Sequence, residues 1–185
     1  MSETKKAPVE FRTSGTLADK GICVTEQSSI DALSSRGYGM LEDKVFTLTF
    51  FEALYLQDKG MLEVKGEKGE TMDFQGLLNC YETQNENAWV NYLVYRDLRS
   101  RGYVAREGFG IGISFRIYER GAYGKDTAPY LVLGTQEGKP MPINDLASAL
   151  QNCQSQKKEL IMAVMNRRGE IVYYSVGELR FPTQT

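Results

Sequence analysis

A basic stretch in the middle of the chain carries the side chains best suited to contact with a phosphate. Residues 96–125 hold 7 Lys and Arg against 3 Asp and Glu, whereas the whole chain has a formal net charge of -2. Within this stretch, ISFRIYE (113–119) alternates apolar and polar side chains. Arg116 and Tyr118 should therefore project together from the polar face of a strand, where a polar site could lie.

Five arginines in this stretch are candidates for contact with the phosphate groups of a ligand: Arg96, Arg99, Arg101, Arg106 and Arg116. A guanidinium pairs well with phosphate oxygens. An arginine can equally do no more than solvate a helix or a strand, and composition alone leaves both interpretations open.

The composition excludes several classes of active site. The chain has no histidine, so a Ser-His or Cys-His nucleophile is ruled out. Its three cysteines (Cys23, Cys80 and Cys153) form no CxxC pair, and no tight acidic cluster adjoins the basic stretch, so we expect neither a metal site nor a cofactor. GFGIGI (108–113) lacks the GxGxxG spacing of a dinucleotide-binding loop.

The hydropathy pattern predicts a cytoplasmic protein. No segment approaches the run of about 18 apolar residues that a membrane-spanning helix needs. The opening residues, MSETKKAPVE, lack the apolar core of a signal peptide. We therefore expect no membrane association.

The predicted fold class is α+β, with a small N-terminal domain of mixed α and β structure followed by a C-terminal mixed-sheet domain flanked by helices. We predict a mobile N-terminal arm over residues 1–15, the N-terminal domain over 16–86 and the C-terminal domain over 87–185. The polar stretch ETQNEN (82–87) reads as the linker between the two domains.

Hydrophobic periodicity predicts the elements that position the polar face. Thr49 and Glu52 stand at capping-box spacing and predict a helix over FEALYLQDK that ends at Gly60. In the second half, an apolar stripe predicts a helix that ends at Gly102, and ISFRIYE and PYLVLG then read as strands. A helix over 144–156 follows, and ELIMAVM, as a buried central strand, forms a hairpin with EIVYYSV across NRRG.

Several stretches taken together resemble the archaeal tRNA-splicing endonuclease family. They occur in the family's order within residues 34–176: SSRGYGMLED, FEALYLQDKGMLEV, NYLVYRDLRSRGYV, FRIYERGA, PYLV, KKELIMAV and GEIVYYSV. The resemblance implies a two-domain α+β subunit whose C-terminal domain carries a metal-independent RNA-cleaving site. Such a site cuts precursor tRNA at a bulge-helix-bulge and leaves a 2',3'-cyclic phosphate and a 5'-hydroxyl. With RNA implied as the ligand, the five arginines become candidates for contact with its backbone phosphates.

The resemblance also assigns roles to single residues. A Tyr, a His and a Lys in the family serve to activate the 2'-hydroxyl, protonate the leaving 5'-oxygen and stabilise the phosphorane. Motif matching carries the Tyr onto Tyr118 in FRIYERG and the Lys onto Lys158 in KKELIMAV. The histidine position, three residues before the Tyr of PYLV, is Thr127, which has no proton to donate near neutral pH.

Other departures from the family pattern lie at Ser114, where an acidic residue is common, and at Gln151, where an arginine holds a bulged base. Together with Thr127 they predict a structural, non-catalytic subunit that supports a His-bearing catalytic subunit in a hetero-oligomer such as a heterotetramer. Tyr118 and Lys158 are then remnants of the site, although the sequence also leaves open that they still function.

The resemblance places two contacts with a partner subunit. One is the EIVYYSV strand, which pairs with its counterpart through Ile171, Val172, Tyr173 and Tyr174. The other is the loop over 133–142, which is acidic in the family and inserts into a basic pocket. In this chain the loop has Glu137 as its one acidic residue, opposed by Lys139.

Two alternatives remain from the sequence. One is an active endonuclease that uses Tyr118 and Lys158 with a different acid, for which Asp126 is the nearby candidate; it predicts cleavage of precursor tRNA by the purified chain alone. The other is a non-enzymatic RNA-binding or assembly protein, which predicts no complex with a His-bearing relative.

Overall fold

A computed structural model of the chain describes residues 11–110 and 112–179. The chain divides into two units, of which one ends at Tyr92 and the other begins at Leu93. The sequence instead suggested a division at the polar stretch ETQNEN. The first residues of that stretch continue a helix, and the next helix starts only four residues later, at Ala88. Both units mix helices and strands, which confirms the predicted α+β class.

The N-terminal unit is built on a six-stranded sheet with the strand order β3-β4-β2-β1-β5-β6. β1 and β5 are parallel, and the other neighbours are antiparallel. In chain order the elements are β1 (Thr13–Ala18), β2 (Gly21–Val24), α1 (Gln27–Ser35), β3 (Met40–Glu42), β4 (Val45–Leu48), α2 (Phe50–Asp58), β5 (Leu62–Lys65), β6 (Thr71–Met72) and α3 (Phe74–Gln84).

The first strand begins inside the segment predicted as an arm. Thr13 is buried, pairs with Leu62 of β5 and donates its N–H to the Met61 carbonyl at 2.9 Å. Residues 13–15 are therefore part of the sheet and not of a mobile arm. Local composition could not predict this, because the pairing strand β5 lies far along the chain. Residues 1–10 of the predicted arm lie outside the described residues.

The C-terminal unit contains a five-stranded sheet with the order β11-β10-β9-β8-β7. β9 and β10 are parallel and the other neighbours antiparallel, so the sheet is mixed, as predicted. β10 is an interior strand between β9 and β11, and the β10–β11 hairpin turns at NRRG. The elements are α4 (Ala88–Ser100), which begins in the first unit, then β7 (Val104–Glu107), β8 (Phe115–Tyr118), β9 (Tyr130–Gln136), α5 (Ile143–Ser155), β10 (Glu159–Met165) and β11 (Ile171–Val176).

Different helices cover the two faces of this second sheet. On the α4 face, the ring of Phe115 lies 6.1 Å from that of Tyr95 in α4. On the α5 face, strand side chains pack against α5 in a buried cluster of Ile113, Leu131, Leu133, Ala149, Cys153 and Leu160. Because side chains alternate along a strand, each strand residue belongs to one of these two faces.

The helices in the described ranges are all too short or too polar to span a lipid bilayer.

The buried carboxylate of Glu52 anchors α2 in the N-terminal unit. Glu52 is only 1% exposed, and its Oε2 accepts a hydrogen bond from the Thr49 N–H at 2.9 Å, which confirms the predicted start of the helix. Both carboxylate oxygens also lie 3.2 Å from the N–H of Gly39. Gly39 has a φ of 67°, and a Cβ there would collide with the ring of Phe46. The carboxylate thus joins α2 to the turn before β3.

Replacing this carboxylate should destabilise the N-terminal unit. In Glu52→Ala the backbone N–H groups of Thr49 and Gly39 lose an acceptor, which should cost about 2–4 kcal/mol of unfolding free energy. Urea denaturation monitored by circular dichroism measures this cost. Glu67→Ala, at an exposed turn, is the matched control and should change stability by less than about 0.5 kcal/mol. Equal stability of the two variants would show that the Glu52 contacts do not hold the unit together.

Candidate functional site

The register of three strands brings Tyr118 and Lys158 to the same end of the C-terminal sheet. One aligned row across β8, β9 and β10 consists of Ile117, Tyr130 and Glu159. Tyr118 and Lys158 each lie one residue beyond this row, on either side of Pro129. Neighbouring strands are about 4.8 Å apart, so the two backbones are about 10 Å from each other.

Both side chains belong to the α5 face. Phe115 and Ile117 are buried on the α4 face, so Arg116 and Tyr118 alternate onto the other face, as predicted. Lys158 lies close enough to α5 to act on Cys153: burial raises the pKa of the Cys153 thiol, and the positive charge of Lys158 partly offsets the rise. The residues assigned to the Tyr and Lys of the family pattern therefore share one end and one face of the sheet.

Arginines and aromatic rings interleave around Tyr118, in what we call the arginine–aromatic cluster. The guanidinium carbon of Arg116 lies 4.1 Å from the ring centroid of Phe109, and that of Arg106 lies 6.0 Å from the centroid of Tyr123. The rings of Tyr118 and Tyr123 meet edge to face, with centroids 5.2 Å apart. Arg106, expected as a surface contact for RNA, is only 6% exposed, because β7 carries it beneath this cluster.

The other three predicted arginines lie elsewhere. Arg96 and Arg99 are on α4, which covers the face of the sheet opposite to Tyr118, and Arg101 directly follows the last residue of this helix. Arg101 forms a salt bridge with Asp97, with 2.7 Å between Nε and Oδ2. The five arginines therefore do not form one surface around Tyr118. Counting basic residues along the chain cannot reveal this separation, because the separation depends on which face of the sheet α4 covers.

The segment between β8 and β9 carries Thr127 and Asp126, both exposed. It folds back on itself through the Ala122 carbonyl, which accepts hydrogen bonds from the N–H groups of Lys125 and Asp126 at 3.0 Å each. Thr127 follows directly and lies two residues before Pro129, next to the row of Tyr118 and Lys158. The position assigned to a histidine is thus open to solvent at the same end of the sheet.

Tyr173 of β11 is turned toward α4. Its hydroxyl donates a hydrogen bond to Asp97 Oδ2 at 2.7 Å, and the guanidinium carbon of Arg101 lies 5.5 Å from its ring centroid. Burial, with this hydrogen bond, raises the pKa of Tyr173 far above the ordinary value for tyrosine. Tyr173, one of the two tyrosines predicted to contact a partner subunit, is therefore held by contacts within its own unit.

The remaining residues of the predicted partner contacts are more accessible. Val172 and Tyr174 alternate onto the α5 face and are exposed, whereas Ile171 is half-buried. β11 is an edge strand, with β10 as its neighbour among the described residues. Glu137 is exposed directly after β9, where its N–H donates to the Met165 carbonyl at 2.8 Å.

Sequence reasoning missed Phe109 and Tyr123 as parts of this site. Phe109 lies in GFGIGI, whose glycines suggest only a dinucleotide-binding loop, and Tyr123 lies in the turn after β8. A signal was available, because both are aromatic residues within the basic stretch. No group of three or more His, Cys, Asp or Glu side chains in the described ranges, 11–110 and 112–179, is placed to hold a metal ion.

Comparison with known proteins gives the same result for both units. Residues 13–78 match the family described as tRNA intron endonuclease, N-terminal domain, and residues 88–173 match tRNA intron endonuclease, catalytic C-terminal domain. A tRNA-splicing endonuclease from Methanococcus vannielii is 32% identical over 164 residues, which are 89% of this chain and 93% of the relative. One from Pyrococcus horikoshii is 30% identical over 95% of this chain and 99% of the relative.

Removing the Tyr173 hydroxyl should weaken the link between α4 and β11 in a pH-dependent way. The folded pKa of Tyr173 is raised, so its contribution to stability is complete below the unfolded value of about 10 and is lost as pH rises beyond it. Tyr173→Phe should therefore lower the unfolding free energy by about 1–2 kcal/mol near neutral pH. Urea titrations should show this difference shrinking at alkaline pH.

The neighbouring Tyr174→Phe is the matched control, since Tyr174 is exposed on the opposite face. It should change stability by less than about 0.5 kcal/mol at any pH. A loss in Tyr173→Phe that is the same at all pH values would contradict the assigned role of the buried phenol.

Proposed function

The chain belongs to the tRNA intron endonuclease family, and from this premise we propose that it is a structural subunit of a tRNA-splicing endonuclease. Its assembly acts in the cytoplasm on precursor tRNA, at bulge-helix-bulge sites, and leaves a 2',3'-cyclic phosphate and a 5'-hydroxyl. The reaction is an internal displacement by the 2'-hydroxyl and requires no cofactor. In this proposal a second, His-bearing subunit performs the chemistry.

One observation carries the proposal: Thr127 occupies the position that the family pattern gives to the general acid, and the chain has no histidine. The leaving 5'-oxygen must receive a proton, and a positioned general acid typically contributes about 10²–10⁴ to the rate of such a step. A threonine hydroxyl does not release a proton near neutral pH. Cleavage at this site would therefore lack one of its three chemical components.

The residues that remain are suited to holding a phosphate. Tyr118 and Lys158 flank Pro129 at one end of the sheet, and a lysine ammonium stabilises added negative charge on a phosphate. Arg116 is on the same face as Tyr118. A supporting subunit could use this cationic end of the sheet to position RNA without cutting it.

The proposed contact with the catalytic subunit is the free side of β11. An edge strand presents unpaired N–H and C=O groups that a second strand can satisfy, and the exposed Val172 and Tyr174 add apolar area beside them. The exposed Glu137 stands at the start of the loop that we propose docks on a neighbouring subunit. Lys139 weakens the negative charge of this loop, so β11 is the stronger of the two proposed contacts.

One arrangement favours a second candidate function, an active endonuclease with an unusual acid. Tyr118 and Lys158 still share one end and one face of the sheet, as a working pair would. The exposed Asp126 lies beside Thr127 and is the candidate acid. The alternative of a non-enzymatic RNA-binding or assembly protein differs from both in requiring no catalytic partner.

Cleavage of an end-labelled bulge-helix-bulge RNA in the presence of EDTA tests the proposal. This chain alone should give no cleavage, and its mixture with a His-bearing subunit should produce fragments with 2',3'-cyclic phosphate ends. Cleavage by this chain alone, lost in Asp126→Asn, would favour the second candidate. Absence of any complex between the two chains in size-exclusion chromatography would favour the assembly-protein alternative.

Restoring the missing acid tests the role of position 127 directly. Thr127→His in this chain should produce detectable cleavage of the same RNA, since a positioned general acid typically contributes about 10²–10⁴ to the rate. Thr127→Ala is the matched control and should stay inactive. Adding Tyr118→Phe to Thr127→His should abolish the gained activity. A Thr127→His variant that binds RNA but gains no activity would show that position 127 does not face the leaving oxygen.

A further inference from the structure

The exposed side chain of Phe109 stacks on the guanidinium of Arg116 in the C-terminal sheet. Phe109 is 57% exposed, yet the inner side of its ring lies 4.1 Å from the guanidinium carbon of Arg116. Arg116 Nε is buried and has no hydrogen-bond partner among the described residues. The guanidinium thus covers one face of the Phe109 ring. Because Phe109 is largely exposed, the other face of the ring is open to solvent.

The loop that carries Phe109 packs closely against other parts of the C-terminal unit. Gly108 and Gly110 flank it, and Gly110 adopts a φ of 90°, which favours glycine. A Cβ on Gly110 would approach Asn152 Nδ2 of α5 at 2.9 Å, so the loop lies directly against this helix. Phe109 is thus presented outward by a loop that is supported from behind.

A second exposed ring repeats the arrangement next to it. Tyr123 is 37% exposed, has Arg106 at 6.0 Å from its ring centroid, and is braced edge-on by Tyr118. Arg106 and Arg116 are directly paired neighbours across β7 and β8, so both cations lie side by side on the α5 face. Two exposed aromatic faces therefore stand above two adjacent positive charges.

We propose that Phe109 and Tyr123 form a stacking surface for unpaired bases of RNA, with the half-buried Arg116 behind Phe109 attracting an adjoining phosphate and the buried Arg106 supporting the ring of Tyr123. The inference rests on the proposed function, because that function supplies RNA with single-stranded bulges as the ligand. Every base has a flat face that can stack on an aromatic ring, and base stacking needs no hydrogen-bonding code. A positive potential beneath the rings suits the phosphates that accompany each stacked base.

This pairing of features favours RNA over a protein partner. An apolar peptide would gain from the exposed rings but not from the two arginines beneath them. A duplex would gain from the positive charge but could not place a base against Phe109, because its bases are already stacked on one another. An unpaired nucleotide uses both features at once.

Binding measurements with this chain alone test the surface. The probes are a bulge-helix-bulge RNA carrying 2-aminopurine in one bulge and a fully paired duplex of the same length. Phe109→Ala should weaken binding of the bulged RNA by roughly 5- to 150-fold and remove the fluorescence quenching caused by stacking. Phe109→Trp should keep both, because it retains a stacking face.

Two controls separate stacking from general damage. Ile143→Ala removes an apolar side chain that is 73% exposed at the start of α5, and it should leave binding unchanged. The duplex should bind Phe109→Ala and the unaltered chain equally well, since its contacts are to phosphates. The salt dependence of binding should likewise be the same for both proteins, because no phosphate-binding charge has been removed.

The outcomes decide this inference separately from the proposed function. Equal affinity and equal quenching in Phe109→Ala and the unaltered chain overturn the stacking surface, as does an equal loss of affinity for bulged and duplex RNA. Failure of the unaltered chain to bind RNA also overturns it, whereas the cleavage assay with the mixed subunits still decides the structural-subunit proposal. A Phe109→Ala variant that loses only its complex with the His-bearing subunit would make the surface a protein contact.

Discussion

The parallel pairing of β9 with β10 is the constraint on which the C-terminal unit depends. Two consecutive parallel strands need a crossover, and α5 supplies it. That crossover covers one face of the sheet with Leu131, Leu133 and Leu160 beneath it, which leaves the other face to α4. The same register aligns the start of β9 with the start of β10 and the end of β8. Tyr118 and Lys158 lie at one end because the turn between β8 and β9 and the crossover through α5 both return the chain to it.

The features that follow from local sequence were predictable. The alternation in ISFRIYE was sufficient to predict that Arg116 and Tyr118 share one face. The spacing of Thr49 and Glu52 was sufficient to predict where α2 begins. Features that depend on distant partners were not. β1 begins at Thr13 because β5 pairs with it, although nothing in the residues around Thr13 indicates a strand.

The same distinction applies to the candidate site. The clustering of arginines along one stretch suggested a single basic surface, but α4 and the sheet separate Arg101 from Arg116. Tyr173 and Tyr174 look equivalent in sequence, yet the period of a strand turns one toward Asp97 and leaves the other exposed. The sequence shows that aromatic residues lie near the arginines, but only the structure shows that Phe109 contacts Arg116 and Tyr123 lies over Arg106. A strand pattern predicts which face a residue occupies, whereas packing determines what it meets there.

The open edge of β11 has a consequence for the behaviour of the chain outside any complex. Beyond β10, no described strand satisfies the backbone groups along its outer side, and Val172 and Tyr174 are exposed beside them. Such an edge accepts any extended segment, including the same strand of another copy. A chain whose β11 edge stays uncovered therefore carries a site for self-association, and this tendency should grow with its concentration.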